Sequence, residues 1–161
     1  MRPPAVAPQL KRDPLDSAMT EFQALLTSAL TLRIPPSEAI RGLSAYATAD
    51  FDSNPAYVNY RRPISEEVEI RPTHVRAALG EYLQGRFAAK QLRDWCLFIV
   101  LTGHFKAPAP PADNEDWYDS LWDTVHDLAA PEVHGRITPE MVRAKLEALA
   151  QYGDDRERSA V

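Results

Sequence analysis

Four histidines and two nearby carboxylates are the first residues of this sequence that could do chemistry. The histidines are His74, His104, His126 and His134. Asp123 lies three residues before His126, and Asp127 follows it directly, so a helix would place Asp123 and His126 on one face, where they could bind Zn²⁺. The sequence has no His-x-x-x-His pair, cysteine pair or carboxylate–histidine signature. We therefore interpret the histidines as surface or helix-capping residues and predict no metal site.

Cys96 is the only cysteine, and a thiol beside a histidine base could act as a nucleophile. That chemistry requires a partly exposed thiol whose pKa is lowered. Cys96 lies between Trp95 and Leu97 in a strongly apolar run, which predicts a buried structural thiol. The six glycines form neither a Gly-x-Ser-x-Gly turn nor a phosphate-binding loop. The sequence predicts no catalytic or cofactor-binding residue, and a hydrolase that uses Cys96 or a metal is only a third alternative.

An acidic stretch between residues 113 and 132 carries seven carboxylates and no lysine or arginine. The whole chain has a formal net charge of −5. Such a stretch repels phosphate and anionic lipid surfaces, so we predict no direct binding of nucleic acid. It attracts a basic protein, because complementary charges speed the encounter of two proteins.

Aromatic residues lie among these acids, and aromatic side chains often anchor protein interfaces. We therefore predict that a basic protein partner binds a helix face that consists of Asp116, Trp117, Asp119, Asp123 and Asp127. The alternative is a solvated helix face whose tryptophans, Trp117 and Trp122, are buried in the core. Trp122 fits the apolar stripe of this helix better than Tyr118 does.

A basic patch combines Arg61 and Arg62 with Tyr57 and Tyr60. Its cations could contact an anion, and its rings could stack on a nucleic-acid base. Two arginines are too few for phosphate recognition, which normally draws on a wider basic field. We therefore interpret this patch as part of a surface loop.

Apolar residues recur every three to four positions in six segments, a period typical of amphipathic helices. The predicted helices cover residues 16–32, 37–46, 73–84, 88–102, 114–130 and 138–152. The helix at 88–102 is the most apolar and should lie at the centre of the core. The acidic face belongs to the helix at 114–130.

Between residues 49 and 72 the helical period fails. This region is either a long loop or one small hairpin, in which residues 57–60 would pair with the alternating segment 67–71. For the whole chain we predict a flexible proline-rich leader at residues 1–14, a single helical domain at 15–152 and a frayed tail at 153–161.

The composition is that of a folded domain, with 45% hydrophobic and 25% charged residues. No apolar run approaches the roughly 20 residues that a membrane-spanning helix needs, and the first residues lack the apolar core of a secretion signal. A single cysteine cannot form an intrachain disulfide. We therefore predict a cytoplasmic protein without a membrane span.

The second half of the chain contains a short helix that ends in LGEYLQG at residues 79–85, the segment LRDW at 92–95, and LAAPE at 128–132. GRIT at 135–138 and a last helix follow. In this pattern, residues 73–150 resemble small helical bacterial proteins of the colicin-immunity-like type. The resemblance implies an all-helical inhibitor that binds a toxin by surface complementarity, with no cofactor and no catalytic residues.

Together these observations predict an all-α bundle of five or six helices, to which residues 49–72 add either a long loop or one small β-hairpin. The predicted core consists of Phe22, Leu26, Leu79, Leu83, Leu92, Trp95, Ile99, Leu121, Val125, Leu128, Leu146 and Leu149. The first functional hypothesis is a non-enzymatic interaction protein, such as an immunity or inhibitor factor, that binds a basic partner. The alternative is an accessory or structural subunit of a larger assembly, held by apolar surface. The oligomeric state is left open.

Overall fold

The computed structural model describes the backbone of residues 14–108 and 116–150, and the side chains of residues 21–108 and 118–150. The predicted tail at 153–161 lies outside the described residues. So does the predicted leader at 1–14, except for Pro14, where the first helix begins.

The described part of the chain is mostly helical, as the sequence predicts. It contains α1 (Pro14–Leu30), α2 (Pro36–Gly42), α3 (Pro72–Leu83), α4 (Ala89–Thr102), α5 (Asp116–Ala129), α6 (Pro131–His134) and α7 (Pro139–Ala150). A 3₁₀ turn, Leu43–Ala45, extends α2. Five of these seven helices begin with proline, whose missing N–H is not needed in a first helical turn. The count exceeds the predicted five or six because Pro131 starts a separate short helix.

Two pairs of short strands make the fold mixed rather than all-α. Strand β1 (Ala47–Asp50) pairs antiparallel with β2 (Tyr57–Tyr60). Strand β3 (Val68–Glu69) pairs in parallel with β4 (Phe105–Lys106). A small antiparallel sheet is therefore present, but the predicted pairing of residues 57–60 with 67–71 is wrong.

The turn between β1 and β2 explains the correct pairing. The side-chain oxygen Oδ1 of Asp50 accepts the backbone N–H of Asp52 at 2.9 Å and that of Ser53 at 3.1 Å. This Asx turn reverses the chain directly after β1, so β2 returns beside it. Strand β3 pairs with β4 instead of β2. Gly103, at φ 70°, ends α4 and turns the chain toward residue 68, so β4 lies beside β3.

Helix α4 lies at the centre of the core and packs against α2, α3, α5, β2 and β4. Its Trp95 is 2% exposed, and the indole N–H donates a hydrogen bond to the Ala29 carbonyl oxygen at 3.0 Å. Of the twelve predicted core residues, ten are buried. The other two, Leu83 and Leu146, are half-buried and pack against the margin of the core.

The start of α3 is capped by a titratable side chain. The backbone N–H of Arg71 donates a hydrogen bond to Nδ1 of His74 at 3.0 Å, in the manner of a capping box. Burial lowers the pKa of His74 below its ordinary 6.5, and the charge of Arg71 lowers it further. The folded chain therefore favours the neutral ring, whose Nδ1 can accept the bond.

We expect the free energy of unfolding to fall as the pH is lowered from 7.5 to 5. Because the folded-state pKa of His74 is depressed, its stabilisation is complete above about pH 6.5 and is lost as the pH falls through the folded-state pKa. His74→Gln keeps a neutral acceptor and should lose less stability over this range, by up to about 1 kcal/mol, the value of a helix cap. Urea denaturation of both proteins at the two pH values measures this. Equal losses would show that the cap does not titrate.

Candidate protein-binding surface

The thiol of Cys96 is fully buried on the core side of α4. Burial raises the pKa of Cys96, because the apolar surroundings disfavour a thiolate. Cys96 therefore packs in the core as a protonated thiol and lacks the exposure that a nucleophile requires.

We expect native Cys96 to react with a chromogenic disulfide reagent at least about a hundredfold more slowly than Cys96 in the urea-unfolded chain, because labelling requires opening of the core. Absorbance of the released thiolate measures both rates. Fast stoichiometric labelling of the native chain would contradict the burial of α4 and restore Cys96 as a candidate nucleophile.

The four histidines have separate roles. His74 caps α3, and Nδ1 of His104 lies 2.7 Å from the Glu66 carbonyl oxygen. The ring of His126 contacts that of Trp122, and Nδ1 of His134 lies 3.4 Å from a carboxylate oxygen of Asp127. In the described part of the chain, no group of three or more histidine, cysteine, aspartate or glutamate residues could hold a metal ion.

The basic patch around β2 is partly used inside the fold. The guanidinium of Arg61 donates a hydrogen bond to the Ser44 carbonyl oxygen at 2.7 Å. The hydroxyl of Tyr60 donates to the Thr102 carbonyl oxygen at 2.8 Å, and burial raises the pKa of Tyr60. These two hydrogen bonds hold β2 in place, while Tyr57, Arg61 and Arg62 are the exposed members of the patch.

The predicted acidic face lies on α5, and its members differ in their surroundings. Asp119 and Asp123 are exposed, and neither forms an ion pair within the described residues. Asp127 is half-buried, with one carboxylate oxygen on Lys145 of α7 and the other near His134 of α6. It therefore adds less negative potential than Asp119 or Asp123.

Two more predicted members, Asp116 and Trp117, begin α5, but their side chains lie outside the described residues. Whether they contribute to the face therefore stays a prediction.

An aromatic ridge runs beside these acids. It consists of Tyr118, Trp122 and His126, four residues apart on one side of α5. The ring centroids of Tyr118 and Trp122 are 6.4 Å apart, and those of Trp122 and His126 are 6.1 Å apart. Tyr118 is 37% exposed, whereas Trp122 is half-buried against the core. Sequence reasoning missed His126 as the third ring, although its four-residue spacing from Trp122 was visible.

The indole N–H of Trp122 is a donor without a partner. Its Nε1 is shielded from solvent and finds no hydrogen-bond acceptor among the described residues. A buried donor left unpaired is unfavourable by about 1–3 kcal/mol. The middle ring of the ridge, Trp122, therefore carries a hydrogen-bond donor that is unsatisfied within the described residues.

A cleft of about 440 Å³ opens where α5 ends. Its walls come from α4 (Arg93, Leu97 and Val100), from α5 (His126 and Ala129), and from the turn at residues 52–56. Alanines at 56, 129 and 130 leave this space, because their methyl groups are too short to fill it. The aromatic ridge leads into the cleft through His126.

No protein-family model, curated protein or solved structure matches the chain. None of the described helices is long and apolar enough to cross a membrane.

Proposed function

We propose that this chain is a non-enzymatic protein that binds a basic partner protein through the outer side of α5. The binding surface consists of Asp119, Asp123 and the aromatic ridge. The observation that carries the proposal is the pairing of two exposed carboxylates, uncompensated within the described residues, with an adjoining row of three rings.

The two parts of this surface have different tasks in binding. Exposed carboxylates attract a positively charged partner over several ångströms and speed its encounter, so they change the association rate more than the dissociation rate. Aromatic rings contribute area that is buried on contact and need little ordering, as at many interface hot spots. Tyr118 is exposed enough to be covered, and the half-buried ring of Trp122 extends the aromatic surface beside it.

An immunity or inhibitor factor is the form of this function that we favour. Such a protein acts by covering a surface of its target, so it needs complementary charge and shape but no catalytic group. The buried thiol of Cys96 and the separate roles of the histidines fit a binding role of this kind. The resemblance of residues 73–150 to colicin-immunity-like proteins supports the same proposal.

Affinity capture from the source cell tests the proposal, with the wild-type chain and Asp119→Asn/Asp123→Asn as baits. We expect the wild type to recover one basic protein at about 50 mM salt and several-fold less of it at about 500 mM, because salt screens exposed charges. The double variant should recover several-fold less already at low salt. Glu21→Gln/Glu38→Gln removes the same charge from α1 and α2 and serves as the matched control.

Equal recovery by the wild type and the Asp119→Asn/Asp123→Asn variant would contradict the proposed surface. Salt-resistant recovery of a multi-protein set would instead favour an accessory subunit of a larger assembly.

A further inference from the structure

The cleft at the end of α5 has an apolar floor. Leu97 is 8% exposed, Ala129 is 5% exposed, and Val100 is half-buried beside them. Its volume of about 440 Å³ falls within the range of roughly 300–1,000 Å³ that is typical of ligand sites. A floor of this kind suits the methylene stem of a long side chain, which can lie on apolar surface while its polar end stays at the rim.

Four charged residues near the rim neutralise one another. The Lys90 ammonium lies 3.1 Å from an Asp52 carboxylate oxygen and 2.8 Å from one of Asp94, and the Arg93 guanidinium lies 3.1 Å from the other oxygen of Asp94. Two acids therefore balance two bases. The positive charge of Arg93 does not set the sign of the potential in the cleft.

Glu132 gives the cleft a net negative charge, because the four charged residues near the rim balance one another. It is exposed, lines the cleft, and forms no ion pair within the described residues. Asp123 and Asp119 continue the same negative surface along α5. The cleft itself therefore contains one carboxylate, Glu132, that no cation in the described part of the chain balances, and the other two lie outside it on α5.

The rim distinguishes between the two long basic side chains. His126 presents a flat ring at the cleft, next to Trp122. A guanidinium stacks on flat rings and can bind a carboxylate through two N–H groups, whereas an ammonium is strongly hydrated and does neither well. The combination of His126 and Glu132 therefore favours arginine over lysine.

We propose that the cleft receives one arginine side chain of the basic partner, with its stem on Leu97, Val100 and Ala129 and its guanidinium between His126 and Glu132. This inference rests on the proposed function, since it names the residue through which the partner is anchored. Arginine is one of the three residue types that are enriched among the few side chains that dominate interface affinity.

A titration of the ¹⁵N-labelled full chain with N-acetyl-L-argininamide, followed by NMR, tests the anchor without the partner. We expect saturable shifts at the amides of Val100, Ala129 and Glu132, with a dissociation constant on the order of millimolar. N-acetyl-L-norleucinamide, which has a similar stem and no charge, and the corresponding lysine amide should each bind several-fold more weakly. Shifts that miss the cleft, or equal binding of the norleucine compound, would overturn the proposal.

Two variants and one control test which residues of the cleft bind argininamide. Glu132→Gln should weaken argininamide binding about threefold, as expected for an exposed ion pair. Ala130→Leu fills the cleft without a change of charge and should weaken binding about tenfold. Glu140→Gln removes an exposed acid of α7 and should bind argininamide like the wild type. Circular dichroism confirms that each variant is folded.

The captured partner separates this inference from the proposed function. If the partner binds Ala130→Leu and Glu132→Gln as tightly as the wild type but is lost from Asp119→Asn/Asp123→Asn, the arginine anchor is wrong and the proposed function stands. If no basic partner is recovered by any bait, the proposed function fails, whatever argininamide does.

Discussion

Replacement of Trp95 by alanine is expected to lower the free energy of unfolding by about 3–5 kcal/mol, the usual result of removing a buried aromatic side chain. Trp95 is among the largest fully enclosed side chains and lies on α4, which packs against α2, α3, α5, β2 and β4. Single domains are stable by only about 5–15 kcal/mol, so this variant should retain a small part of its stability. Urea or thermal denaturation measures the loss.

The loss at Trp95 has two parts, which Trp95→Phe separates. Phenylalanine keeps most of the ring but removes the indole N–H that donates to the Ala29 carbonyl oxygen at 3.0 Å. Because this oxygen keeps the Leu32 N–H at 3.3 Å, the expected loss from the missing hydrogen bond is about 0.5–1.5 kcal/mol. Val133→Ala, at a residue that is 74% exposed, should change stability by less than about 0.5 kcal/mol and is the control. If Trp95→Ala unfolds at the same urea concentration as the wild type, the central position of α4 is wrong.

Reversal of charge on α5 is the second change with a large expected effect. Asp119→Lys/Asp123→Lys should slow association with the captured basic partner by about 10- to 100-fold at low salt, because attraction during the encounter becomes repulsion. The dissociation rate should change much less. Surface plasmon resonance at several salt concentrations measures both rates, and the two proteins should converge as salt rises.

A matched control distinguishes local charge from net charge. Glu21→Lys/Glu38→Lys makes the same change in net charge on α1 and α2, whereas α5 packs against α3, α4, α6 and α7. This control should associate at nearly the wild-type rate. If both double variants are slowed equally, the partner responds to the overall charge of the chain, and α5 has no special role.

Much of the fold could be predicted because its signals are local. The apolar run of α4 and the three- to four-residue period of α1 and α5 depend on near neighbours, and these helices were placed to within a few residues. Prolines that begin α2, α3 and α7 marked boundaries in the same way. Strand pairing is not local. Strand β4 has only two residues, too few to show any period, so its parallel pairing with β3 could not be predicted.

In the candidate site, too, local features could be predicted and contacts between distant residues could not. The acidity of α5 and the rings within it were visible in the sequence. The partner of Asp127 was not, because Lys145 lies 18 residues away on another helix. The cleft depends on three separated segments, near residues 56, 97 and 129, and only the packing of α4 against α5 and the turn brings them together.

The different surroundings of Trp95 and Trp122 have a spectroscopic consequence. Trp95 is enclosed in the core, so its fluorescence should shift to longer wavelength only when the chain unfolds. Trp122 is half-buried at the proposed surface, and its indole N–H has no acceptor among the described residues, so its emission should respond to an occupant while the fold is intact. The chain therefore carries one tryptophan that reports folding and another that reports occupancy. Trp117 is the third, so Trp117→Phe is made in both proteins; Trp95→Phe then leaves Trp122 alone, and Trp122→Phe leaves Trp95 alone.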